Sequence, residues 1–278
     1  MGAMSERKID CHCHILDPGR HPYRTGATYR PSAQEIGTLG QYRALCEAYA
    51  VDHALLVGPN SGYGTDNRCL LDAIETSDGK FKGVAVVDND ASARVLAALE
   101  RRGIVGIAIN ATYHGVDHYR DIAPLIRRLV DLDMFLQIQV EANQLLALLP
   151  LVADSRVKLL IDHCGRPIVA DGLAQSGFAA LRRLAATERA AIKLSGLYKF
   201  SGEAYPYADC WRYIRALVDA FGIANCLWGS DWPYLRAPER IDYGPMLTLV
   251  DRLFPHDADR KAVLWDNPRR LLGFGVAC

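Results

Sequence analysis

The sequence lacks the features that would place a protein in a membrane or on a nucleic acid. No apolar run approaches the roughly 18 residues that a membrane span requires, and no apolar signal-peptide core follows the start. The 32 basic residues balance 32 acidic residues, so no net charge attracts nucleic acid or anionic lipid. We therefore expect no nucleic-acid and no membrane partner, and any basic group used in function must act locally.

Motifs for several common chemistries are also missing. No Gly-x-Gly-x-x-Gly pattern follows a predicted strand, which argues against a dinucleotide-binding sheet, and no nucleophile elbow is present. The eight cysteines form no pair with metal-like spacing. Cys11, Cys164 and Cys226 fall in or beside predicted core strands, where free cysteine packs as a small hydrophobe. This cysteine usage predicts a reducing, cytoplasmic environment.

What the sequence does contain is a regular alternation of strand and helix signals along its 278 residues. Strands are predicted at residues 9–14, 51–57, 83–87, 104–110, 135–140, 157–161, 191–194 and 226–230. Helical segments are predicted between them and after the last, ending with 243–253 and 257–272. Eight β-α units at this length predict a TIM-type (β/α)8 barrel, with an open doubly wound sheet as the alternative. We expect one domain over residues 1–278, with residues 1–6 a tag or a disordered start.

Two predictions concern the region after the first strand. Residues 17–31 are rich in proline, glycine and tyrosine, and a long aromatic loop of this kind is typically functional or a lid. Ser32 and Glu35 then match a capping box, which predicts one helix from Ser32 to about Tyr49.

The first strand carries alternating acidic, cysteine and histidine residues. Because strand side chains alternate between faces, Asp10, His12 and His14 are expected on one face and Cys11 and Cys13 on the other. The cysteines and histidines then point apart, which excludes a zinc finger. Two imidazoles on one face can grip a single metal ion or a substrate carbonyl.

Polar residues also follow the sixth and eighth predicted strands, where a barrel builds its active site. His163 and Arg166 follow the sixth strand, and Asp231 follows the eighth. Each has an ordinary structural explanation, since Asp231 could cap a turn and Arg166 could be a surface charge. Their joint placement with His12 and His14 at three strand ends nevertheless predicts one active site.

These motifs resemble those of the amidohydrolase superfamily. The resemblance rests on three motifs: His-x-His after the first strand, Asp-His-x-Gly-Arg-Pro after the sixth and Trp-Gly-Ser-Asp-Trp-Pro after the eighth. Within the superfamily, the chain is similar to the branch that contains 2-pyrone-4,6-dicarboxylate lactonase and the sugar-acid and muconolactone lactonases. The resemblance runs through most of the chain and implies a hydrolase that opens the ring of a small carboxylated or sugar-acid lactone.

The resemblance also implies catalytic roles. Asp231 would be the general base that takes a proton from the attacking water. His12, His14 and His163 would polarise the ester carbonyl, directly or through a metal. The fourth and fifth strands end without the lysine, carboxylate or histidine that two-metal members use, which argues against a two-metal site. The expected cofactor is therefore none or one divalent metal, zinc if present, held by His12, His14 and Asp231.

Substrate contacts are implied residue by residue. Arg166 has the family's placement for clamping a carboxylate, and Lys199 stands where the dicarboxylate lactonase has an arginine. Ala108, however, replaces an arginine of that enzyme. We therefore expect a substrate with one carboxylate, or a sugar-acid lactone richer in hydroxyls. The predicted substrate-binding residues are Arg166, Lys199, Tyr29, Tyr63 and Asn110.

Other functions stay open at this stage. A superfamily decarboxylase of an aromatic or muconate-type acid is one alternative, and it should need a firmly bound divalent ion. A lactone isomerase is another, in which Asp231 or His163 would move a proton without consuming water. A catalytically inactive binding protein is the third. The expected partner is a small-molecule lactone, and a homo-oligomer is left open.

Overall fold

The computed structural model describes residues 2–275, which form a barrel of eight parallel strands surrounded by helices. The strands neighbour one another in chain order. They are β1 Lys8–Cys13, β2 Val51–Val57, β3 Phe81–Ala85, β4 Ile104–Asn110, β5 Phe135–Gln139, β6 Lys158–Ile161, β7 Ala190–Leu194 and β8 Cys226–Trp228. This order confirms the TIM-type barrel and excludes the doubly wound sheet, whose strand order reverses.

The ring closes between β8 and β1 through the segment that follows β8. The His14 N–H donates to the Trp232 carbonyl at 2.8 Å, and the Asp231 N–H donates to the His12 carbonyl at 2.8 Å. Cys13 and Trp232 form a parallel bridge. Closure of the barrel therefore ties the backbone of the two histidines to that of the aspartate.

The helices lie outside the strands and mostly follow the predicted pattern. The helix predicted at residues 257–272 is divided into two by a π-helical turn, Ala262–Asp266. The α-helices are α1 Leu39–Ala48, α2 Arg68–Glu75, α3 Ala93–Glu100, α4 Ala111–His114, α5 Ala123–Asp131, α6 Gln144–Ala153, α7 Ser176–Leu184, α8 Trp211–Phe221, α9 Tyr243–Leu253, α10 Asp257–Lys261 and α11 Asn267–Leu272.

The prediction of a single helix over residues 32–49 is wrong. The capping box opens only a 3-10 turn, Ala33–Glu35, and α1 begins separately at Leu39. A Cβ atom on Gly37 would lie 2.5 Å from the ring of Trp232, so only glycine fits where the backbone packs against this ring. Packing against the segment after β8 therefore interrupts the helix that local sequence favours.

The alternation predicted for β1 is wrong at Asp10. The pairing of β1 with β2 shifts register after this residue, and such an irregularity re-aims the side chains that follow. The Asp10 carboxylate accepts hydrogen bonds from the Tyr42 and Tyr243 hydroxyls of α1 and α9, each at 3.1 Å, so it faces the helical layer. Cys11 instead joins the apolar interior of the barrel, while His12 faces the polar end.

The interior of the barrel changes from apolar to polar along the strands. Apolar side chains of consecutive strands pack together in its lower part, including Ile9, Leu55, Val84, Phe135, Leu160, Ala191 and Leu227. Two residues beyond Phe135, Leu160 and Ala191 stand Gln137 in β5, Asp162 directly after β6, and Lys193 in β7. The fold therefore presents a buried polar layer at the carboxyl ends of the strands, where barrel enzymes place their active sites.

The described start of the chain packs against the barrel. Ala3 is buried and its N–H donates to Asp251 at 2.7 Å, and Glu6 pairs with Arg260 at 3.1 Å. The assignment of residues 1–6 as a tag or a disordered start stays a prediction. Met1 and residues 276–278 lie outside the described residues.

Two further features concern residues 2–275 alone. No helix within this range is long and apolar enough to cross a membrane. The seven cysteines in the same range are free thiols. The cytoplasmic location stays a prediction.

Candidate active site

Three histidines and one aspartate meet at the carboxyl ends of the strands. The Nε2 atoms of His12, His14 and His163 lie 3.7, 3.7 and 3.8 Å from Asp231 Oδ1. All four side chains are buried. Asp231 and His163 have φ angles of +62° and +49°, a conformation that is uncommon for non-glycine residues and clusters at functional sites. The structure brings together all four residues that the strand-end motifs predicted to be catalytic.

Asp231 is a buried carboxylate with one oxygen free. Its Oδ2 accepts a hydrogen bond from the Tyr198 hydroxyl at 2.8 Å and forms an ion pair with Lys199 Nζ at 3.1 Å. Its Oδ1 is buried and has no hydrogen-bond partner within the described chain. Burial alone would raise the pKa of Asp231, but the Lys199 ammonium holds this pKa well below its usual range. A free buried oxygen on an anion is costly, so this atom is available for a water, a substrate or an ion.

The hydrogen-bond partners of the Nδ1 atoms indicate which ring nitrogen of each histidine carries the hydrogen. His14 Nδ1 lies 2.8 Å from the Val57 carbonyl, which can only accept, so Nδ1 carries a hydrogen and Nε2 is the nitrogen that faces the carboxylate. His163 Nδ1 lies 3.0 Å from the Ser195 hydroxyl, which can donate to it and leave the hydrogen on Nε2. Burial lowers the pKa of His12 to about 4 and that of His163 well below its usual range, so both rings are neutral at pH 7.

A buried ion pair lies beneath His12. Lys193 Nζ is 3.1 Å from Asp162 Oδ1 and donates to Gln137 Oε1 at 2.6 Å. Gln137 Nε2 in turn donates to Asp162 Oδ2 at 2.8 Å. His12 Nδ1 lies 3.2 Å from both charged groups. Burial alone would raise the pKa of Asp162, but Lys193 and His12 hold it well below the usual range. This network fixes the orientation of the His12 ring.

The sequence-based prediction missed these three supporting residues. A signal for two of them was nevertheless present, because Gln137 and Lys193 are polar residues with apolar neighbours on both sides in their strands. Each lies two positions after an inward-facing apolar residue and therefore points to the same side of its strand. A polar residue at such a position requires a buried partner, which is a reason to search for a network.

The residues present fit a single divalent ion. His12, His14 and Asp231 each offer one ligand atom, and these atoms lie within 4.8 Å of one another. The free carboxylate oxygen and His14 Nε2 are suitable ligand atoms, and the Nδ1 of this histidine is held by a carbonyl, as is usual for metal-binding histidine. A second possible set contains His12, Asp162 and His163, but the buried lysine already neutralises its carboxylate.

A cavity of about 490 Å³ opens above this cluster and is lined by three of the predicted substrate-binding residues. Arg166 Nη2 pairs with Glu141 at 3.0 Å, while its buried Nε has no partner within residues 2–275. Lys199 is engaged with Asp231, as described above. Asn110 Oδ1 accepts from the first turn of α4, so this side chain also has a capping role. Arg166 therefore keeps an unused donor for a ligand.

Tyr29 and Tyr63, the other two predicted substrate contacts, do not line this cavity. Tyr63 is buried, and its hydroxyl accepts from the Asp17 N–H at 3.1 Å. The Tyr29 hydroxyl donates to Glu35, and its ring lies 4.2 Å from the Arg236 guanidinium carbon. Both hydroxyls are thus used to hold loops in place. Arg236, which was not predicted, does line the cavity.

Comparisons with known proteins show which family the chain belongs to. The model of the amidohydrolase family matches residues 9–274. The chain is 33% identical over 274 residues to a 4-sulfomuconolactone hydrolase of Rhizobium radiobacter, covering 95% of this chain and 89% of that protein. It is 25% identical over 268 residues to a D-galactarolactone isomerase of Agrobacterium fabrum, covering 95% and 90%. A crystal structure of a candidate 2-pyrone-4,6-dicarboxylic acid hydrolase from Pseudomonas putida has a TM-score of 0.86 at 28% identity, covering 98% of this chain and 99% of that chain.

These matches confirm the resemblance predicted from the strand-end motifs. The family model spans nearly the whole described chain, and the muconolactone relative is similar over almost its full length. The chain is therefore an enzyme that belongs to the amidohydrolase family.

Proposed function

We propose that this enzyme hydrolyses the ring ester of a small carboxylated or sugar-acid lactone, with Asp231 as the general base. The observation that carries the proposal is the buried, anionic Asp231, whose free Oδ1 lies within 3.8 Å of three imidazole nitrogens. The names of two relatives support it, since they describe hydrolases of a sulfomuconolactone and of a pyrone dicarboxylic acid.

The reaction follows from the placement of the free carboxylate oxygen. Asp231 Oδ1 accepts a proton from water while the water oxygen bonds to the lactone carbonyl carbon. The ring C–O bond then breaks, and the proton held by Asp231 passes to the departing ring oxygen. One water is consumed, and the product is a ring-opened hydroxy acid or its keto form. A positioned base of this kind contributes about 10²- to 10⁴-fold.

His163, a neutral imidazole, would stabilise the carbonyl oxygen as negative charge develops on it. With the Ser195 hydroxyl donating to its Nδ1, His163 presents an N–H toward the site. One positioned donor to an oxyanion contributes about 10²- to 10³-fold. His12, His14 and Asp231 would hold a single divalent ion, and such an ion, when bound, supplies Lewis-acid polarisation of the carbonyl.

Replacing Arg166 should weaken the binding of anionic lactones. We expect Arg166→Met to raise KM for them about 10- to 100-fold with little change in kcat, because a charge-assisted hydrogen bond from the buried Nε is lost. Glu141, its partner, is partly exposed and can be hydrated in the variant. Steady-state kinetics on an anionic lactone and on a neutral sugar lactone test this expectation. An unchanged KM for the anionic lactone would place the carboxylate contact elsewhere.

Lactone isomerisation is the second candidate function. It is favoured by the similarity to a D-galactarolactone isomerase over 95% of this chain. The same Asp231 and His163 could then move a proton between two positions of the substrate, with no water consumed. The two reactions differ in whether acid is released.

A screen for acid release tests the proposed function. Protein purified without added metal is assayed with a pH indicator on a panel of lactones, with and without chelator, and its metal content is measured. We expect acid release from at least one anionic lactone. About one zinc per chain with chelator-sensitive turnover would support the three-residue metal site. Turnover that survives complete metal removal would assign the carbonyl polarisation to the histidines, and no acid release from any lactone would contradict the proposal.

A further inference from the structure

Arg236 differs from the other two cations that line the cavity. Lys199 is paired with Asp231 at 3.1 Å, and Arg166 is paired with Glu141 at 3.0 Å. Within the described part of the chain, no carboxylate lies within ion-pairing distance of the Arg236 guanidinium. The side chain is exposed at the rim of the cavity, next to Leu235. Its charge is therefore the least neutralised of the three.

Its position is nevertheless fixed by three separate segments. The guanidinium carbon lies 4.2 Å from the ring centroid of Tyr29 and 5.9 Å from that of Tyr113, so aromatic faces from the first loop and from α4 flank it. The Arg236 N–H donates to Glu35 Oε1 at 2.7 Å, and the residue adopts a φ of +57°. A freely solvated surface arginine needs none of these restraints.

The flanking rings carry no competing charge. Burial and the Glu35 carboxylate raise the pKa of Tyr29 to about 12, so this phenol is neutral at pH 7. The Tyr113 hydroxyl is hydrogen-bonded to Thr28, which joins α4 to the first loop. The guanidinium is thus pre-organised, and its edge remains free to bind an anion in the forked geometry that carboxylates favour.

We propose that Arg236 binds a second anionic group of the substrate at the rim, while Arg166 binds the first deeper in the cavity. The substrate would then be a lactone with two anionic groups. Ala108 stands where the dicarboxylate lactonase has an arginine, and Arg236 in the loop after β8 would supply the positive charge that is lacking there. Tyr29 would act as a positioning residue for this arginine. The proposal rests on the proposed function for the lactone ring, whereas the anion site itself can be tested without turnover.

The test uses isophthalate, a planar ring with two carboxylates, and its uncharged diamide. Binding to the wild-type enzyme and to Arg236→Gln is measured by titration calorimetry. We expect the variant to bind isophthalate about 10- to 100-fold more weakly, the scale of a charge-assisted hydrogen-bond pair. Affinity for the diamide should change less than about twofold, since it carries no charge to lose. Arg236→Lys should recover part of the affinity.

The matched control is Arg240→Gln. Arg240 is exposed on the same loop, pairs with Asp242 at 3.0 Å and does not line the cavity. Its replacement should change isophthalate binding less than about twofold. Failure of the wild-type enzyme to bind isophthalate, or equal weakening of diacid and diamide in Arg236→Gln, would overturn the proposal. If isophthalate binding depends on Arg236 but no lactone is hydrolysed, the anion site stands and the proposed function fails.

Discussion

The Asp231→Asn variant is expected to retain its fold and to lose at least about a hundredfold in kcat on any lactone that the enzyme hydrolyses. The amide has nearly the same shape as the carboxylate, and its oxygen can still accept a hydrogen bond from Tyr198. It cannot take a proton from water, however, and it removes the negative charge beside three imidazoles. Single-turnover and steady-state rates measure the loss.

Asp117→Asn is the matched control for this substitution. Asp117 is an exposed aspartate whose side chain is 90% accessible, so the same chemical change there should leave turnover unaltered. Circular dichroism and thermal unfolding show whether each variant is folded. Near-wild-type turnover by folded Asp231→Asn would rule out this residue as the base.

The Lys193→Met variant is expected to lose about 3–5 kcal/mol of unfolding free energy, the cost of breaking a buried ion pair by removing one partner. Asp162 would remain buried with its charge uncompensated, and the Gln137 oxygen would lose its donor. Turnover should also fall, because the pair holds the Nδ1 side of His12. Denaturant unfolding measures the stability change, and kcat measures the effect on the site.

The double variant Lys193→Met/Asp162→Asn separates stability from catalysis. Removing both charges leaves no uncompensated ion, so most of the lost stability should return. Activity should stay low, since neither charged partner of His12 remains. A single variant as stable as the wild type, or stability losses that simply add in the double variant, would contradict the role of this pair. The double variant also keeps the test available if the single variant does not fold.

Much of the barrel could be predicted from the sequence because each strand–helix unit carries its own local signal. The bounds of β2 and β4, for example, match the prediction. The failures occur where distant segments meet. Trp232, from the loop after β8, interrupts the helix predicted at residues 32–49, and no local pattern contains that contact.

The residues of the candidate site also divide into those that could be predicted from the sequence and those that depend on contacts between distant segments. His12, His14, His163 and Asp231 could be predicted because barrel topology places every strand end at one rim. Asp10 and His12 face opposite sides because of a register shift between two strands, which residue alternation alone cannot show. Tyr29 was predicted as a substrate contact, but its ring instead stacks on Arg236. This contact could not be predicted because it depends on how two distant loops pack.

Turnover in water labelled with ¹⁸O tests the central claim most directly. Hydrolysis by attack of water on the carbonyl carbon places one ¹⁸O atom in the carboxylate of the ring-opened acid in a single turnover, and mass spectrometry of the product detects it. We predict this incorporation for the wild-type enzyme and its loss, together with turnover, in Asp231→Asn. A product with the mass of the substrate and no ¹⁸O would contradict the account and identify an isomerase.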